Sequence, residues 1–371
     1  MTDEMQLIIQ NIIEVEQPIG TFLIAKVRAS DLLDISFKEE RYYNKELEDY
    51  IGIQRPIKKD KIKSLERFIS TKDATFPNTI IGTLNYDTYD YNRSEKTLKI
   101  KRNKDAFKII DGQHRLMAFE NMPTIASSFD LVVAFFLDVP LSDQAYIFSI
   151  INTTQTKLDP SLMQDLSAIS DITTPEKIVR SIAQLFNKRH DSPWQRKIKM
   201  LGKKDELSND AIISQYSFNK SILEYMYDNK DVAEIRNILK DYKNDRSKLN
   251  SININKSNFI FWDLYISSDE GIIYIMLNSY FSVLKKCFPE QWGNKASILC
   301  KTSGYAAFMK LFKDFYTIAK GETEKLTNTD FYENFILEKI VNKVDIENEE
   351  YRLGASGANT LYKKLKELFN S

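Results

Sequence analysis

The segment Leu131 to Val139, LVVAFFLDV, constrains the fold of this chain more than any other. Its apolar residues are consecutive rather than alternate. That pattern fits a central strand covered on both faces, so a sheet has to be built around it. The residues before it supply the neighbours. Thr21 to Val27, Thr79 to Leu84, Thr97 to Arg102 and Ala106 to Ile110 read as strands, with a turn at Asn103-Lys104-Asp105. Lys58 to Ser70 reads as a helix with Ile62, Leu65, Phe68 and Ile69 on one face. It is broken by Phe76-Pro77-Asn78, and Leu116 to Asn121 reads as a second helical segment.

From Pro140 onward the pattern is helical. Asp159-Pro160 and Thr174-Pro175 each place an N-cap residue before a proline suited to a first turn. Ser208 is expected to cap a helix through Ile212, Ile213 and Tyr216. Ile272 to Cys287 and Ala306 to Ile318 continue the theme, and a last helix is expected after the loop Gly354 to Gly357. A chain of 371 residues exceeds one ordinary core. The expectation is an α+β protein, with a mixed α/β domain over residues 1–160 and a mostly α-helical domain over 161–371.

Composition removes several functions. Lys and Arg number 52 and Asp and Glu also number 52, which argues against a protein that coats DNA by bulk charge and leaves room for a local basic groove. Cys287 and Cys300 make neither a metal-spaced pair nor a disulfide framework. With only His114 and His190, a histidine-rich metal site is excluded. The N-terminus does not resemble a signal peptide and no stretch is long enough to span a bilayer, so a soluble cytoplasmic protein is expected.

The chemistry concentrates in AFKIIDGQHRLMAFE, residues 106–120. A strand ends, Asp111-Gly112 turns, and a helix begins. The start of a helix exposes unpaired N–H groups and can hold a phosphate. Gly112 permits close backbone approach, Arg115 can fork onto phosphate oxygens, His114 can move a proton, and Asp111 can hold Mg²⁺ or orient a water. The bland reading is an Asp N-cap, an ordinary glycine turn, and His and Arg facing solvent.

Asp111-Gly112-Gln113-His114-Arg115 resembles the signature of the DGQHR-domain family, which includes DndB-like proteins of DNA phosphorothioation systems and a partner protein of the DNA 7-deazaguanine system. The motif is also similar to the nucleotide-binding boxes of sulfiredoxin and ParB. Gln54-Arg55 ahead of Phe76-Pro77-Asn78, Ile151 to Gln155, and Ser192-Pro193-Trp194 resemble further family blocks, so the likeness spans roughly residues 20 to 200. The resemblance implies a ParB/sulfiredoxin-like N-terminal domain. It also implies a component of a DNA-modification or phage-defence system, with DNA and modification-enzyme subunits as partners. It implies binding, with hydrolysis as the enzymatic leaning, of ATP or another nucleoside triphosphate with Mg²⁺. In that reading Asp111, His114 and Arg115 are catalytic, with Asp111 on the metal, and Gly112, Gln113, Gln54, Arg55, Asn152 and Gln155 bind the nucleotide. Sulfiredoxin chemistry is disfavoured, because Gln113 stands where the reactive cysteine is needed.

Two basic stretches, residues 93–108 and 186–204, offer nucleic-acid contacts. The better is the second, where Trp194 in a loop can stack a base and Arg196, Lys197 and Lys199 can follow a backbone. A solvated lysine-rich face is the alternative. A non-catalytic DNA-binding regulator and a scaffold for modification-enzyme subunits stand as the other functional readings.

Overall fold

Alternating and consecutive apolar residues set the strands in the computed structural model, which describes residues 6–44, 49–54, 57–155, 160–202, 211–341, 343–352 and 354–370. The chain is α+β and divides into two compact units, Met1–Thr156 and Lys157–Ser371.

The first unit opens with strands β1 (Gln6–Ile9), β2 (Ile13–Gln17) and β3 (Gly20–Arg28), then helix α1 (Ala29–Ile35) and strands β4 (Ser36–Phe37), β5 (Tyr42–Asn44) and β6 (Asp49–Ile51). Helix α2 (Lys59–Ile69) precedes β7 (Ile80–Leu84), β8 (Tyr89–Asn92), β9 (Thr97–Lys101) and β10 (Phe107–Asp111). Short helices α3 (Gln113–Met117) and α4 (Pro123–Ala126) lead to β11 (Asp130–Leu137) and α5 (Leu141–Gln155). Six strands form one mixed sheet in the order β2-β3-β11-β7-β10-β4. The strand β11 is interior to it, antiparallel to β3 and parallel to β7. Val133 to Phe136 are buried at consecutive positions, as a strand covered on both faces requires, while Val132 stays 39% exposed. The strand β3 alternates instead, burying Leu23, Ala25 and Val27 and exposing Lys26 and Arg28. One face of the sheet shares a core with α1, α3 and α4 through Leu32, Ile35, Leu116, Phe119 and Ala126. A smaller sheet, β1-β9-β8, adds Leu7, Ile9, Leu98 and Ile100 to that core.

The second unit holds α6 (Pro160–Leu166), α7 (Pro175–Lys188), the two-residue strands β12 (Ile198–Lys199) and β13 (Ile213–Ser214), and α8 (Gln215–Leu223). It continues with α9 (Val232–Asp241), α10 (Trp262–Ile266), α11 (Glu270–Cys287), α12 (Thr302–Ile318), α13 (Thr323–Thr327), α14 (Thr329–Phe335) and α15 (Gly354–Asn370). Helix α7 begins as its Thr-Pro pair predicts, with the Thr174 hydroxyl accepting from Lys177 N at 3.3 Å. Two expectations are corrected. Ile213 lies in a strand and the next helix is capped by Ser214, whose hydroxyl accepts from Ser217 N at 3.2 Å; Ser208 falls outside the described residues. Gly354 to Gly357 are the first turn of α15 rather than a loop. A Cβ at Gly357 would come within 2.4 Å of Tyr351 O, so this glycine serves a close backbone approach and not an anion.

Candidate functional site

The motif sits where β10 ends. The ladder between β10 and β7 shifts register between Ile109 and Asp111, a bulge that re-aims the chain as it leaves the sheet. Gly112 then takes φ +96°, a left-handed conformation that favours glycine, and its carbonyl accepts from Arg115 N at 2.9 Å and Leu116 N at 3.1 Å. The close approach expected at Gly112 exists, and the chain's own side chains occupy it. A Cβ there would meet Ile80 Cδ1 at 2.6 Å and Arg115 Nη2 at 3.1 Å.

Arg115 is engaged with protein rather than open to a ligand. Its Nη2 donates to Asp111 Oδ2 at 3.0 Å and to Thr79 O at 3.0 Å, and its Nη1 donates to Asn78 O. The guanidinium therefore ties the start of β7 to the turn after β10. Burial depresses its pKa and the neighbouring Asp111 carboxylate opposes that shift. His114, one residue earlier, accepts a hydrogen bond at Nε2 from Lys58 N at 3.2 Å, which pins the entry to α2. Gln54 is 1% exposed. Its Nε2 donates to Ile109 O, and its Oε1 is buried with no partner among the described residues. Asp111, Gly112, Gln113, His114, Arg115 and Gln54 are thus gathered by one strand end, and together they bracket three segments of the chain. Arg55 falls outside the described residues. Asn152 and Gln155 lie in α5, and their side chains are outside the description.

This bracket leaves little of the expected phosphate cradle. Helix α3 spans five residues, Gly112 faces Ile80, and the Arg115 fork already holds two carbonyls and a carboxylate. Among the described residues no group of three His, Cys, Asp or Glu side chains is placed to hold a metal ion.

The basic stretches also change meaning. Trp194 is 0% exposed and surrounded by Phe218, Phe281, Trp292 and Tyr305, with ring centroids 5.1–5.7 Å away. The expectation that it stacks a base is corrected: a loop tryptophan flanked by helices is drawn into their aromatic core. Arg189 in the same stretch is paired with Asp191. Arg196 is exposed, while Lys197 and Lys199 are half-buried. In the first stretch Arg93 pairs with Glu14 and Glu16, Arg102 with Asp31 and Asp34, and the buried Lys108 with Glu39.

Exposed cations to which the described residues give no ion pair remain in both stretches, at Lys96, Lys101, Lys104 and Arg196, and a further group stands on and beside α2. Lys58, Lys59, Lys61, Lys63, Arg67 and Lys72 are exposed on and beside α2, and the described residues give none of them an ion pair. The acids of the same segment are Asp60, Glu66 and Asp73, and Glu66 accepts from Asn121 Nδ2 at 3.0 Å. Lys59, Lys63 and Arg67 are spaced by four residues and so form one stripe, rising about 6 Å per step. The signal for it in the sequence is the four-residue spacing of these cations opposite Ile62, Leu65 and Ile69.

An α+β unit with this bracketed strand end defines the class of protein. Residues 12–192 match the family model DndB, DNA-sulfur modification-associated. The match covers both the bracket and α2. No curated protein and no solved structure matches the chain at a significant level. Among the described residues no helix is long and apolar enough to cross a membrane.

Proposed function

We propose that the chain is a DNA-contacting, non-catalytic component of a DNA-sulfur modification system, with α2 as the nucleic-acid surface and the Asp111–Arg115 bracket as its mount. The observation that carries this reading is the cationic stripe Lys59, Lys63 and Arg67, to which the described residues give no ion pair, on a chain whose formal net charge is zero. A neutral protein that contacts DNA needs its cations concentrated and free of internal partners, because affinity comes from releasing counterions at phosphates. The bracket supports the same reading: His114 receives Lys58 N, so the motif fixes where α2 starts.

The test is binding of duplex DNA by the full chain across salt concentrations, with the triple variant Lys59→Ala, Lys63→Ala, Arg67→Ala. The expected result is a salt slope smaller by about 2–3 and affinity lower by roughly 10- to 100-fold. Equal slopes for the two proteins would sink the assignment to α2, and no binding by the wild type would sink DNA contact itself.

Nucleoside triphosphate binding at the motif is the second reading. Gln54 Oε1 favours it, a buried orphan acceptor that suits a ribose hydroxyl or a base amino group. The phosphate end fits poorly while Arg115 holds Asn78 and Thr79. ATP with Mg²⁺ titrated onto wild type and His114→Ala decides it. Saturable binding lost in the folded variant supports the reading, and no binding to the wild type removes it.

A further inference from the structure

We propose that the turn and strand at residues 86–91 form a receptor for an arginine side chain of a partner protein. Tyr86, Tyr89 and Tyr91, with Asp87, Asp90 and Leu137, line an open cavity of about 430 Å³. Tyr86 is 77% exposed, an aromatic that a free surface leaves uncovered and that protein interfaces use as an anchor.

The cavity is held in shape. Thr88 N donates to Asn85 O at 3.1 Å and closes the turn, Asp87 adopts φ +65°, and Asn85 Nδ2 donates to Asp105 O at 3.0 Å. The Tyr89 hydroxyl donates to Asp138 Oδ2 at 2.7 Å and the Tyr91 hydroxyl to Glu14 Oε2 at 3.2 Å. Two of the three rings are therefore anchored at their polar ends and only Tyr86 is free to close on a guest.

The charges select the guest. Asp87 and Asp138 are exposed, and the described residues give them no ion pair, while Asp90 points to the other face of β8 from Tyr89 and Tyr91. The nearby cations are Arg93, already bonded to Glu14 and Glu16, and Lys99 and Lys101, which stand across the ladder from Asp90 and Thr88 and so lie off the ring face. Aromatic faces beside carboxylates attract a cation and repel a phosphate, so this surface does not suit DNA. Arginine fits better than lysine because its planar fork can stack on a ring while pairing with a carboxylate. The proposal is independent of the DNA reading of α2.

The experiment measures binding of fluorescein-labelled hexa-arginine to the full chain by anisotropy, beside hexa-citrulline and hexalysine of the same length. Wild type is expected to prefer hexa-arginine over both. Tyr86→Ala and Asp87→Asn, whose side chains are exposed and whose melting temperatures should be unchanged, are each expected to weaken it about tenfold. Asp73→Asn, outside the cavity, should leave it unaltered. Hexalysine bound as tightly as hexa-arginine, or undiminished binding by the Tyr86→Ala, Asp87→Asn double variant, would overturn the proposal.

Discussion

Arg115 concentrates in one guanidinium what the motif does for the fold. It satisfies the Asn78 and Thr79 carbonyls and neutralises Asp111 while itself only 16% exposed. Removing it strands two acceptors and a carboxylate in a mostly dry place, where each lost charge-assisted bond matters. Arg115→Ala is expected to cost about 2–3 kcal/mol, and Arg115→Lys most of that, since an ammonium cannot span the same three oxygens. Thermal melting checks both; a melting temperature within about 1 °C of wild type would show that the bracket is not structural. The residue types of this site were legible in the sequence, including its glycine. Their partners were not: Asn78, Thr79 and Lys58 lie dozens of positions away, and only the pairing of β7 with β10 brings them in.

Elements were most legible where a local pattern and a capping residue agreed. Helix α7 is the clear case, its Thr174 cap and Pro175 start both readable and both observed. Thr174→Ala should lower stability by about 1 kcal/mol, read as a shift in the denaturation midpoint with an unchanged slope. Elements were missed where residues were read outside their packing. Ile212 and Ile213 carry helical spacing, yet Ile213 pairs with Ile198 in a two-residue parallel bridge and the helix waits for Ser214. In α2 the apolar face is legible from its spacing and the opposite, cationic face is not, because a lysine run ordinarily means nothing more than solvation. Here the i, i+4 spacing gathers Lys59, Lys63 and Arg67 into one stripe to which the described residues give no acidic partner, and ion pairing is a tertiary property.

At the scale of the units, the helical one is stabilised by buried aromatics whose hydroxyls are neutral. Tyr280, Tyr305, Tyr225, Tyr227, Tyr265 and Tyr332 all have their pKa raised, with burial as the largest cause. A hydroxyl whose folded pKa exceeds its unfolded value near 10 contributes stability that is complete below that pH and lost as pH rises above it. Stability should therefore hold from neutral pH to about 9 and fall steeply beyond 10. Melting of the full chain at pH 8 and at pH 10.5 tests this, and equal midpoints would contradict it.

By itself the sequence determined the strand–glycine–helix junction at 107–117, the interior strand from Val133 to Phe136, and the change from mixed to helical structure, because these depend on local periodicity, capping and backbone permissiveness. Only the tertiary structure decided which charges remain free and which aromatics remain exposed. Among the described residues Arg115 and Arg102 find acidic partners and Lys59 and Arg67 do not, while Trp194 goes into the core and Tyr86 stays out. The physical reason is that burial and ion pairing depend on neighbours distant in the chain, which no local pattern encodes.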